Sequence, residues 1–475
     1  MMAEWWGWAV WIVEWVIRVA VLISVTRCRP PTSAMAWLLI VFFYPLIGLP
    51  LYLLIGHNKL PKRRVEQWKE LDEKLDRIRK AYAPLVAPWT PRLSGRLAQT
   101  VRLAERLGDM PVVGGNGGEI LSDSADVITC LVGDIEAAEY HVHLEFYIFA
   151  DDRAGRLVEE ALRKAAGRGV HCRLIVDSVG SAKFLKRAAD RLRDAGVDVV
   201  EALPVGRFRR RAARFDLRNH RKLAVFDGQI GYAGSQNIVD PHYGHKDLVW
   251  HDVMCRLKGP IVLEMQALFL SDWFFETGKI LEGDDLFPVP AEAGTMPMQL
   301  LPSGPTYAAE NFQRVVVDAV HEAEERIILT TPYLVPDEPL MQALQVAVLS
   351  GARVDVVVPR KCDGHLVQWA GESYYEDLLA MGVRLHLFEE GLLHAKTLTI
   401  DRSLTFVGSS NFDIRSFALN FEVNVVLYGE DGLGLRALQE AYLRKSTELT
   451  LDAWSGQPTW KQVRRNVCRL LSPLL

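Results

Sequence analysis

The N-terminal part of the chain contains two long apolar stretches, at residues 5–25 and 34–55, separated by a short polar turn at 27–33. Each stretch is close to the ~20 residues that an α-helix needs to cross a bilayer. The pattern therefore predicts a two-helix membrane anchor over residues 1–57. Residues 58–118 are much richer in charged side chains and predict a charged helical linker.

The first apolar stretch carries two charged side chains and a row of tryptophans. Glu14 and Arg18 are spaced i,i+4 and are costly in hydrocarbon unless they pair or face protein. The tryptophans are typical of a membrane interface, so a helix lying in the interface is an alternative to a span; they are Trp5, Trp6, Trp8, Trp11 and Trp15. A cleaved signal peptide fits poorly, because residues 1–4 carry no basic side chain and a second apolar stretch follows.

Beyond residue 118, short β-rich segments alternate with amphipathic helical segments in two successive halves. The first half has strands at 141–149, 171–177 and 197–202, with helices at 155–166 and 183–195. The second has strands at 326–334, 353–359 and 383–388, with helices at 339–349 and 374–381. This alternation predicts an α/β fold of βαβ units with a largely parallel, covered sheet. We expect repeats at 119–285 and 299–475, joined by a linker at 286–298, with a basic helix at the C-terminus.

A set of polar residues occurs twice, with an offset of 174 positions (394 minus 220) at every matched residue. The first copy comprises His220, Lys222, Asp227, Ser235 and Asn237; the second comprises His394, Lys396, Asp401, Ser409 and Asn411. A lone histidine or lysine on a strand is usually an ordinary core or surface residue. Two copies in register make that interpretation hard to sustain.

Strand periodicity gives the repeated set a chemical meaning. Residues i and i+2 of a strand project from one face, so His220 and Lys222 share a face, as do His394 and Lys396. The serine and asparagine of each Gly-Ser-x-Asn turn add hydrogen-bonding groups suited to phosphate oxygens. If the halves face each other, two imidazoles flank one phosphorus atom. One imidazole can then attack while the other moves a proton, which is two-step transfer at a phosphodiester.

Net charge and cysteine content narrow the possible binding partners and the cellular compartment. The chain has 55 Lys and Arg against 59 Asp and Glu, a net charge of −4, whereas nucleic-acid-binding proteins are usually basic. Two basic clusters, at 207–218 and 460–475, could contact anionic lipid headgroups. The six cysteines show no CxxC pair and no metal-ligand spacing, which favours a reducing compartment and no zinc site.

The duplicated motif resembles the signature of the phospholipase D superfamily. The resemblance implies a pseudo-twofold α/β fold with one active site between the repeats, a phosphohistidine intermediate and no metal or other cofactor. It also implies that Asp227 and Asp401 are mainly structural. An acidic residue after each motif would orient the histidine of the opposite half, which pairs Asp252 with His394 and Glu422 with His220.

Over nearly its whole length the chain is similar to the phospholipase D-type cardiolipin synthases of bacteria. The similarity includes the apolar N-terminus, residues 31–40, 217–222, 391–396 and the final Ser-Pro-Leu-Leu. It implies condensation of two phosphatidylglycerol molecules into cardiolipin and glycerol, with other anionic phospholipids as partners and no nucleic acid. Another lipid or alcohol acceptor, a nuclease and a non-catalytic scaffold are the alternatives. A homo-oligomer is compatible with the sequence.

The distribution of basic residues predicts an orientation in a bacterial inner membrane. Lys59, Lys62, Arg63 and Arg64 follow the second apolar stretch, against Arg27 and Arg29 in the turn. Because basic residues accumulate on the cytoplasmic side, two spans would place both termini and the catalytic domain in the cytoplasm. The expectation is a multi-pass protein of the inner membrane.

Overall fold

The computed structural model describes residues 2–28, 31–55, 77–93, 95–205, 217–244, 248–283, 285–307, 310–430 and 432–470. The described residues form two compact units, one from Met1–Glu66 with Val205–Leu217 and one from Gln67–Pro204 with Arg218–Leu475. The basic residues at 59–64, the arginines at 207–214 and the terminal Ser-Pro-Leu-Leu lie outside the described residues.

Three helices make up the N-terminal unit: α1 (Met2–Cys28), α2 (Pro31–Phe43) and α3 (Pro45–Ile55). By length and composition, the described residues contain one helix, at Trp8–Arg27, that could cross a membrane. The second apolar stretch is divided at Tyr44, because Pro45 cannot donate the backbone hydrogen bond that would continue α2.

The two short helices fold back on each other instead of forming one long rod. The rings of Trp37 on α2 and Tyr52 on α3 lie 5.3 Å apart, whereas fifteen residues of continuous helix would span about 22 Å. At the crossing, a Cβ on Gly48 would lie 2.8 Å from the Cα of Val41, so only glycine permits this approach. The expected single helix over residues 34–55 is therefore wrong, since the stretch forms a helical hairpin.

The charged pair in α1 is satisfied within this unit. Arg18 donates to Glu14 at 3.0 Å and to the backbone carbonyl of Phe42 at 3.1 Å, where the end of α2 leaves acceptors free. The hydroxyl groups of Ser24 and Tyr52 lie 3.1 Å apart and join α1 to α3. The two charged residues thus support the turn of the hairpin.

The second unit is built on one extended sheet to which fifteen described strands contribute. In chain order the strands of this unit, including four short ones outside that sheet, are β1 (Val113–Leu121), β2 (His141–Phe146), β3 (His171–Asp177), β4 (Asp198–Ala202), β5 (Lys222–Phe226), β6 (Ile230–Gly234), β7 (Trp250–His251), β8 (Met254–Lys258), β9 (Met296–Ser303), β10 (Arg326–Thr330), β11 (Leu334–Val335), β12 (Arg353–Pro359), β13 (Arg384–Phe388), β14 (Leu392–Leu393), β15 (Thr397–Ile400), β16 (Leu404–Gly408), β17 (Phe412–Asp413), β18 (Glu422–Tyr428) and β19 (Ser446–Leu449).

The strand order of the large sheet is β19-β13-β12-β10-β15-β16-β18-β9-β1-β8-β6-β5-β2-β3-β4. Parallel pairing is confined to the outer βαβ portions, β2-β3-β4 and β10-β12-β13. The remaining neighbours in the sheet are antiparallel, so the expectation of a largely parallel sheet is wrong. The reason is local, because β5 and β6 are joined by a turn of three residues, which permits only an antiparallel hairpin.

Helices cover both faces of the sheet and bury an apolar core. They include α4 (Leu97–Gly108), α5 (Ser124–Ala137), α6 (Arg153–Gly167), α7 (Ala182–Arg187), α8 (Ala189–Asp194), α9 (Ile261–Thr277), α10 (Asn311–His321), α11 (Glu338–Leu349), α12 (His365–Glu372), α13 (Tyr375–Ala380), α14 (Ile414–Ala418), α15 (Leu435–Arg444), α16 (Leu451–Ser455) and α17 (Thr459–Arg469), with 3₁₀ turns at Ala87–Trp89 and Gly432–Gly434. Helix α9 is apolar on nearly every side and is buried over most of its length. The predicted boundary at 118/119 falls inside β1, which begins at Val113.

Candidate active site

Each histidine-lysine pair lies at the beginning of a central strand. Lys222 opens β5, and Lys396 lies immediately before β15. The Nζ of Lys222 donates to the backbone carbonyl of His220 at 2.6 Å, and Lys396 makes the same 2.6 Å bond to His394. The two motifs therefore have the same local geometry, with each ammonium held beside its own histidine.

The motif aspartates anchor backbone rather than the cavity. Asp227 accepts three backbone N–H bonds of 2.7–2.9 Å from residues 139–141, just before β2. Asp401 accepts three equivalent bonds of 2.8–3.0 Å from residues 324–326, just before β10. Both aspartates have a positive φ of 51°, which fits the turn that each occupies. Each therefore holds the start of the strand beside its motif, at a segment more than seventy residues earlier in the sequence.

The histidines pair with carboxylates from the opposite halves. The Nδ1 of His220 lies 3.0 Å from Glu422, and the Nδ1 of His394 lies 2.7 Å from Asp252. A carboxylate only accepts hydrogen bonds, so each imidazole donates from Nδ1 and keeps a lone pair on Nε2 when neutral. These pairs are the ones that the resemblance implies.

Backbone pairing between the halves makes the crossed arrangement possible. His220 donates its N–H to the carbonyl of Phe421 at 2.9 Å, next to Glu422. On the other side, β14 pairs in parallel with β7, and His394 donates its N–H to the carbonyl of His251 at 2.8 Å. Each histidine is thus fixed, through the main chain, to the residue that precedes its carboxylate partner.

A cavity of about 440 Å³ contains both histidines. Its wall includes the aromatic rings Tyr147, Tyr243, Trp250 and Tyr333 and the polar side chains Arg218, Asn237, Asp363, Asn411, Asp413, Arg415 and Asn420. This volume is typical of a pocket for a small ligand or headgroup. A lipid with two acyl chains is larger, so its chains would extend beyond the cavity.

Burial controls the protonation of the catalytic candidates. Burial lowers the pKa of His394 to about 4, with Lys396 acting in the same direction and Asp252 opposing it. Burial also lowers the pKa of His220, an effect that Glu422 opposes and Lys222 reinforces. Both imidazoles are therefore neutral near pH 7 in the free site, which is the form that can attack phosphorus or accept a proton.

Burial and neighbouring charges also shift the pKa values of the lysines and carboxylates. Burial lowers the pKa of Lys222 to about 7 and that of Lys396 to about 8, although each has a carboxylate nearby. Burial by itself would raise the pKa of Asp252, but His394 and the surrounding donors bring it down to about 2. Glu422 is likewise held below its ordinary pKa by His220, against the effect of its burial. A bound phosphate would favour the charged lysines.

The serine and asparagine of each turn occupy different places. The hydroxyl of Ser235 donates to Asp252 at 2.6 Å, and that of Ser409 donates to Glu422 at 2.6 Å. The serines, which were expected to bind phosphate, therefore support the histidine-orienting carboxylates. Asn237 and Asn411 do line the cavity. The amide group of Asn411 donates to Asp413 at 3.0 Å.

Trp250 and Arg415 line the cavity but were not singled out by the sequence as chemical groups. Trp250 lies with its ring 4.6 Å from that of His394, and Tyr147 lies 4.8 Å from His220. Trp250 could have been found, since it precedes Asp252 by two residues and would share its face. Arg415 carries no comparable local signal, because its position depends on the short helix α14, which follows β17 directly.

Two βαβ-containing halves that bring two histidines to one cavity, each with a lysine and a carboxylate of the opposite half beside it, are typical of the phospholipase D superfamily. A family model described as a cardiolipin synthase, phospholipase D-like domain matches residues 131–273 and 316–441. A second, described as a phospholipase D-nuclease N-terminal model, matches residues 16–57.

Among proteins, the chain is 36% identical to cardiolipin synthase A of Serratia proteamaculans over 97% of each sequence. It is also 36% identical to cardiolipin synthase A of Salmonella paratyphi B, over 99% of this chain and 98% of the relative. The crystal structure of phosphatidylserine synthase from Haemophilus influenzae shares the fold, with a TM-score of 0.59 over 79% of this chain and 100% of that one, at 14% identity. The chain belongs to the cardiolipin synthase family of phospholipase D-like proteins.

Proposed function

We propose that this protein is a membrane-bound phosphatidyltransferase that condenses two phosphatidylglycerol molecules into cardiolipin and glycerol. The observation that carries the proposal is the pair of carboxylate-bound histidines in one cavity, at 3.0 and 2.7 Å. Similarity to cardiolipin synthases over almost the entire chain supports the lipid substrate. Anchoring by α1 and a catalytic unit facing the cytoplasm of a bacterial inner membrane complete the proposal.

The two repeats, which begin with β1 and β9, are related in this proposal by a pseudo-twofold axis. The strand order supports it, since β9 and β1 are central neighbours and the order outward is β18-β16-β15-β10-β12-β13 on one side, with β19 added at the edge, and β8-β6-β5-β2-β3-β4 on the other. The axis would exchange His220 with His394 and Glu422 with Asp252. Two similar imidazoles are then available for two opposite tasks at one phosphorus.

In the first step, the Nε2 of His220 forms a bond to the phosphorus of phosphatidylglycerol. The phosphorus–oxygen bond to glycerol breaks, and His394 gives a proton from Nε2 to the departing oxygen. This step requires His394 to be protonated in the complex, and the negative phosphate favours that form. Lys222, Lys396, Asn237 and Asn411 stabilise the charge on the remaining phosphoryl oxygens.

In the second step, neutral His394 takes a proton from the terminal hydroxyl of a second phosphatidylglycerol. The hydroxyl oxygen forms a bond to phosphorus, the nitrogen–phosphorus bond breaks, and His220 is regenerated as cardiolipin leaves. One phosphodiester replaces another, so no other reactant is consumed. The aromatic rings around the histidines keep water from the intermediate, which would otherwise form phosphatidic acid.

The assignment of His220 as nucleophile has a direct test. Its side chain is 13% exposed against 5% for His394, which supports it as the imidazole that meets phosphorus. A phosphatidyl ester of p-nitrophenol needs no proton on its leaving group. With this substrate, His394→Ala should still release p-nitrophenol in a burst, whereas His220→Ala should release none. A burst from His220→Ala and none from His394→Ala would reverse the two roles.

The overall activity is tested with the full-length protein in detergent and labelled phosphatidylglycerol. Cardiolipin and glycerol should appear in equal amounts and disappear in a His220→Ala control. Phosphatidic acid as the sole product would instead identify a hydrolase, and no lipid product would refute the proposal. Exchange of labelled glycerol into phosphatidylglycerol should also occur, because both steps are reversible.

A further inference from the structure

The C-terminal helix α17 has its polar and apolar sides reversed relative to an ordinary surface helix. Arg465 faces inward, where it donates to Glu372 at 2.8 Å and lies over the ring of Trp454 at 3.9 Å. The outward stripe is apolar: Trp460, Val463, Val467 and Leu470 are 60%, 56%, 55% and 79% exposed. Their spacing of three, four and three residues puts them on one face. A helix packed only for a soluble fold would bury these side chains instead.

Basic side chains border this apolar stripe. Arg464 stacks on Trp369 at 4.0 Å and on Trp460 at 5.2 Å, and Lys461 lies 5.8 Å from the Trp460 ring. Arg469 pairs with Asp377 at the far end. An exposed row of large apolar residues with a tryptophan and basic neighbours fits the interface of an anionic bilayer, where the ring lies among the headgroups.

The helix that carries the stripe packs against α12, and the beginning of α12 lines the catalytic cavity. Arg465 and Arg464 of α17 contact Glu372 and Trp369 of α12. At the start of α12, Gly364 and Val367 line the cavity that contains both histidines, while Leu366 between them is exposed. A bilayer that covers the stripe would therefore lie near the entrance through which a lipid headgroup must pass.

We propose that Trp460, Val463, Val467 and Leu470, with the basic residues beside them, dock the catalytic unit on an anionic lipid surface. This inference deepens the proposed function, because it rests on a lipid substrate whose acyl chains stay outside the cavity. Docking lets the headgroup enter the cavity while the chains remain in the bilayer.

The test compares two forms of the substrate for the full-length protein. Val463→Ser/Val467→Ser should raise the interfacial KM for long-chain phosphatidylglycerol in vesicles about tenfold, with kcat and Tm unchanged. On short-chain phosphatidylglycerol in detergent solution, the variant should match the wild type. The matched control is Leu349→Ser, since Leu349 is 78% exposed on α11 and is not part of the stripe.

An unchanged interfacial KM would overturn the docking proposal and leave the proposed function intact. An equal loss on both substrates, or an equal loss in the Leu349→Ser control, would overturn it as well, because the effect would not be specific to the surface. Failure of the proposed function is distinguishable, since the wild type would then make no cardiolipin from either substrate.

A second inference comes independently from the N-terminal unit. Trp8–Arg27 covers 20 residues and about 30 Å, which matches the apolar thickness of a bilayer. Arg18 lies near its middle and binds the carbonyl of Phe42, at the turn between α2 and α3. Ser24 near the end of α1 lies beside Tyr52 near the end of α3. The hairpin turn is therefore at mid-depth along α1, and both arms point towards the same end of it.

The geometry points to a re-entrant hairpin: α1 crosses the bilayer, whereas α2 and α3 enter and leave on the face where α1 ends. Non-helical backbone at mid-depth is tolerated where protein satisfies it, as Arg18 does at Phe42. The positive-inside rule agrees better with this topology than with two spans. Arg27 and Arg29 then join the basic residues at 59–64 on one face, and Glu4 stands on the other.

The topology is tested by the protease accessibility of terminal epitope tags on the full-length protein in sealed inner-membrane vesicles of known orientation. A tag before Met1 and a tag after Leu475 should be cleaved from opposite faces. Cleavage of both tags from the same face would overturn the re-entrant hairpin and restore two spans. A cysteine variant at the exposed Glu430, labelled with a membrane-impermeant reagent, reports the face of the catalytic unit as an internal control.

Discussion

Replacement of Glu422 by glutamine tests the crossed pairing most sharply. Glu422 is buried and accepts from two groups on each oxygen: His220 at 3.0 Å and Ser409 at 2.6 Å on Oε2, and Ser416 at 3.2 Å and Asn420 at 3.3 Å on Oε1. A glutamine amide must turn its NH₂ towards one of these pairs. Turned towards His220, it donates to Nδ1 and moves the imidazole proton to Nε2, which removes the lone pair that attacks phosphorus.

The expected loss can be bounded from this geometry. A hydrogen bond to a charged group contributes about 1.5–3 kcal/mol, which corresponds to roughly 10- to 150-fold in rate. The wrong tautomer is costlier, and the equivalent aspartate-to-asparagine change in a serine protease lowers kcat about 10⁴-fold. Glu422→Gln should therefore lower kcat by about 10²- to 10⁴-fold with little change in KM.

The assay measures cardiolipin and glycerol formation from labelled phosphatidylglycerol in mixed micelles, with rapid quenching to follow the phosphoenzyme. The variant should accumulate less phosphoenzyme, because His220 would attack more slowly. Glu430→Gln, at an exposed position after β18, is the matched control and should behave as the wild type. A loss in Glu422→Gln smaller than about threefold, with normal Tm, would refute the role given to this carboxylate.

Four further outcomes are expected. The kcat/KM of the wild type should fall as pH rises through about 7–8, since Lys222 and Lys396 of the free enzyme lose their charge there. The kcat should fall only at higher pH, because the bound phosphate retains the protons on both lysines. A fall of kcat and kcat/KM over the same pH range would contradict this. The free energy of unfolding should rise from pH 7 to 10, because the two lysines bind more protons in the unfolded state than in the folded state. Urea unfolding at several pH values checks the sign of this change. Asp227→Ala should cost about 1–2 kcal/mol in unfolding free energy by removing three hydrogen bonds to backbone N–H groups, one of them part-buried, and an unchanged urea midpoint would refute the anchoring role. Trp250→Ala should raise the ratio of phosphatidic acid to cardiolipin several-fold by admitting water beside His394, and an unaltered ratio would remove the shielding role.

The sequence by itself determined that one set of histidine, lysine and asparagine residues occurs twice. An offset of 174 residues between matched histidines, lysines and asparagines depends only on the order of residues, and strand periodicity places His and Lys together. Strands rich in apolar and β-branched residues were also predicted well, since 171–177 and 353–359 are strands over just those residues. Such patterns are local and need no knowledge of distant contacts.

The tertiary structure decided which residues meet across long separations. Ser235 and Ser409 turn towards the carboxylates because the adjacent strands β8 and β18 bring Asp252 and Glu422 to them. The antiparallel centre of the sheet follows from short turns that join the motif strands. The hairpin of α2 and α3 depends on the contact between Trp37 and Tyr52 and on the support that Arg18 gives to Phe42. Hydrophobicity is the same for a straight helix and a folded one, so only packing could distinguish them.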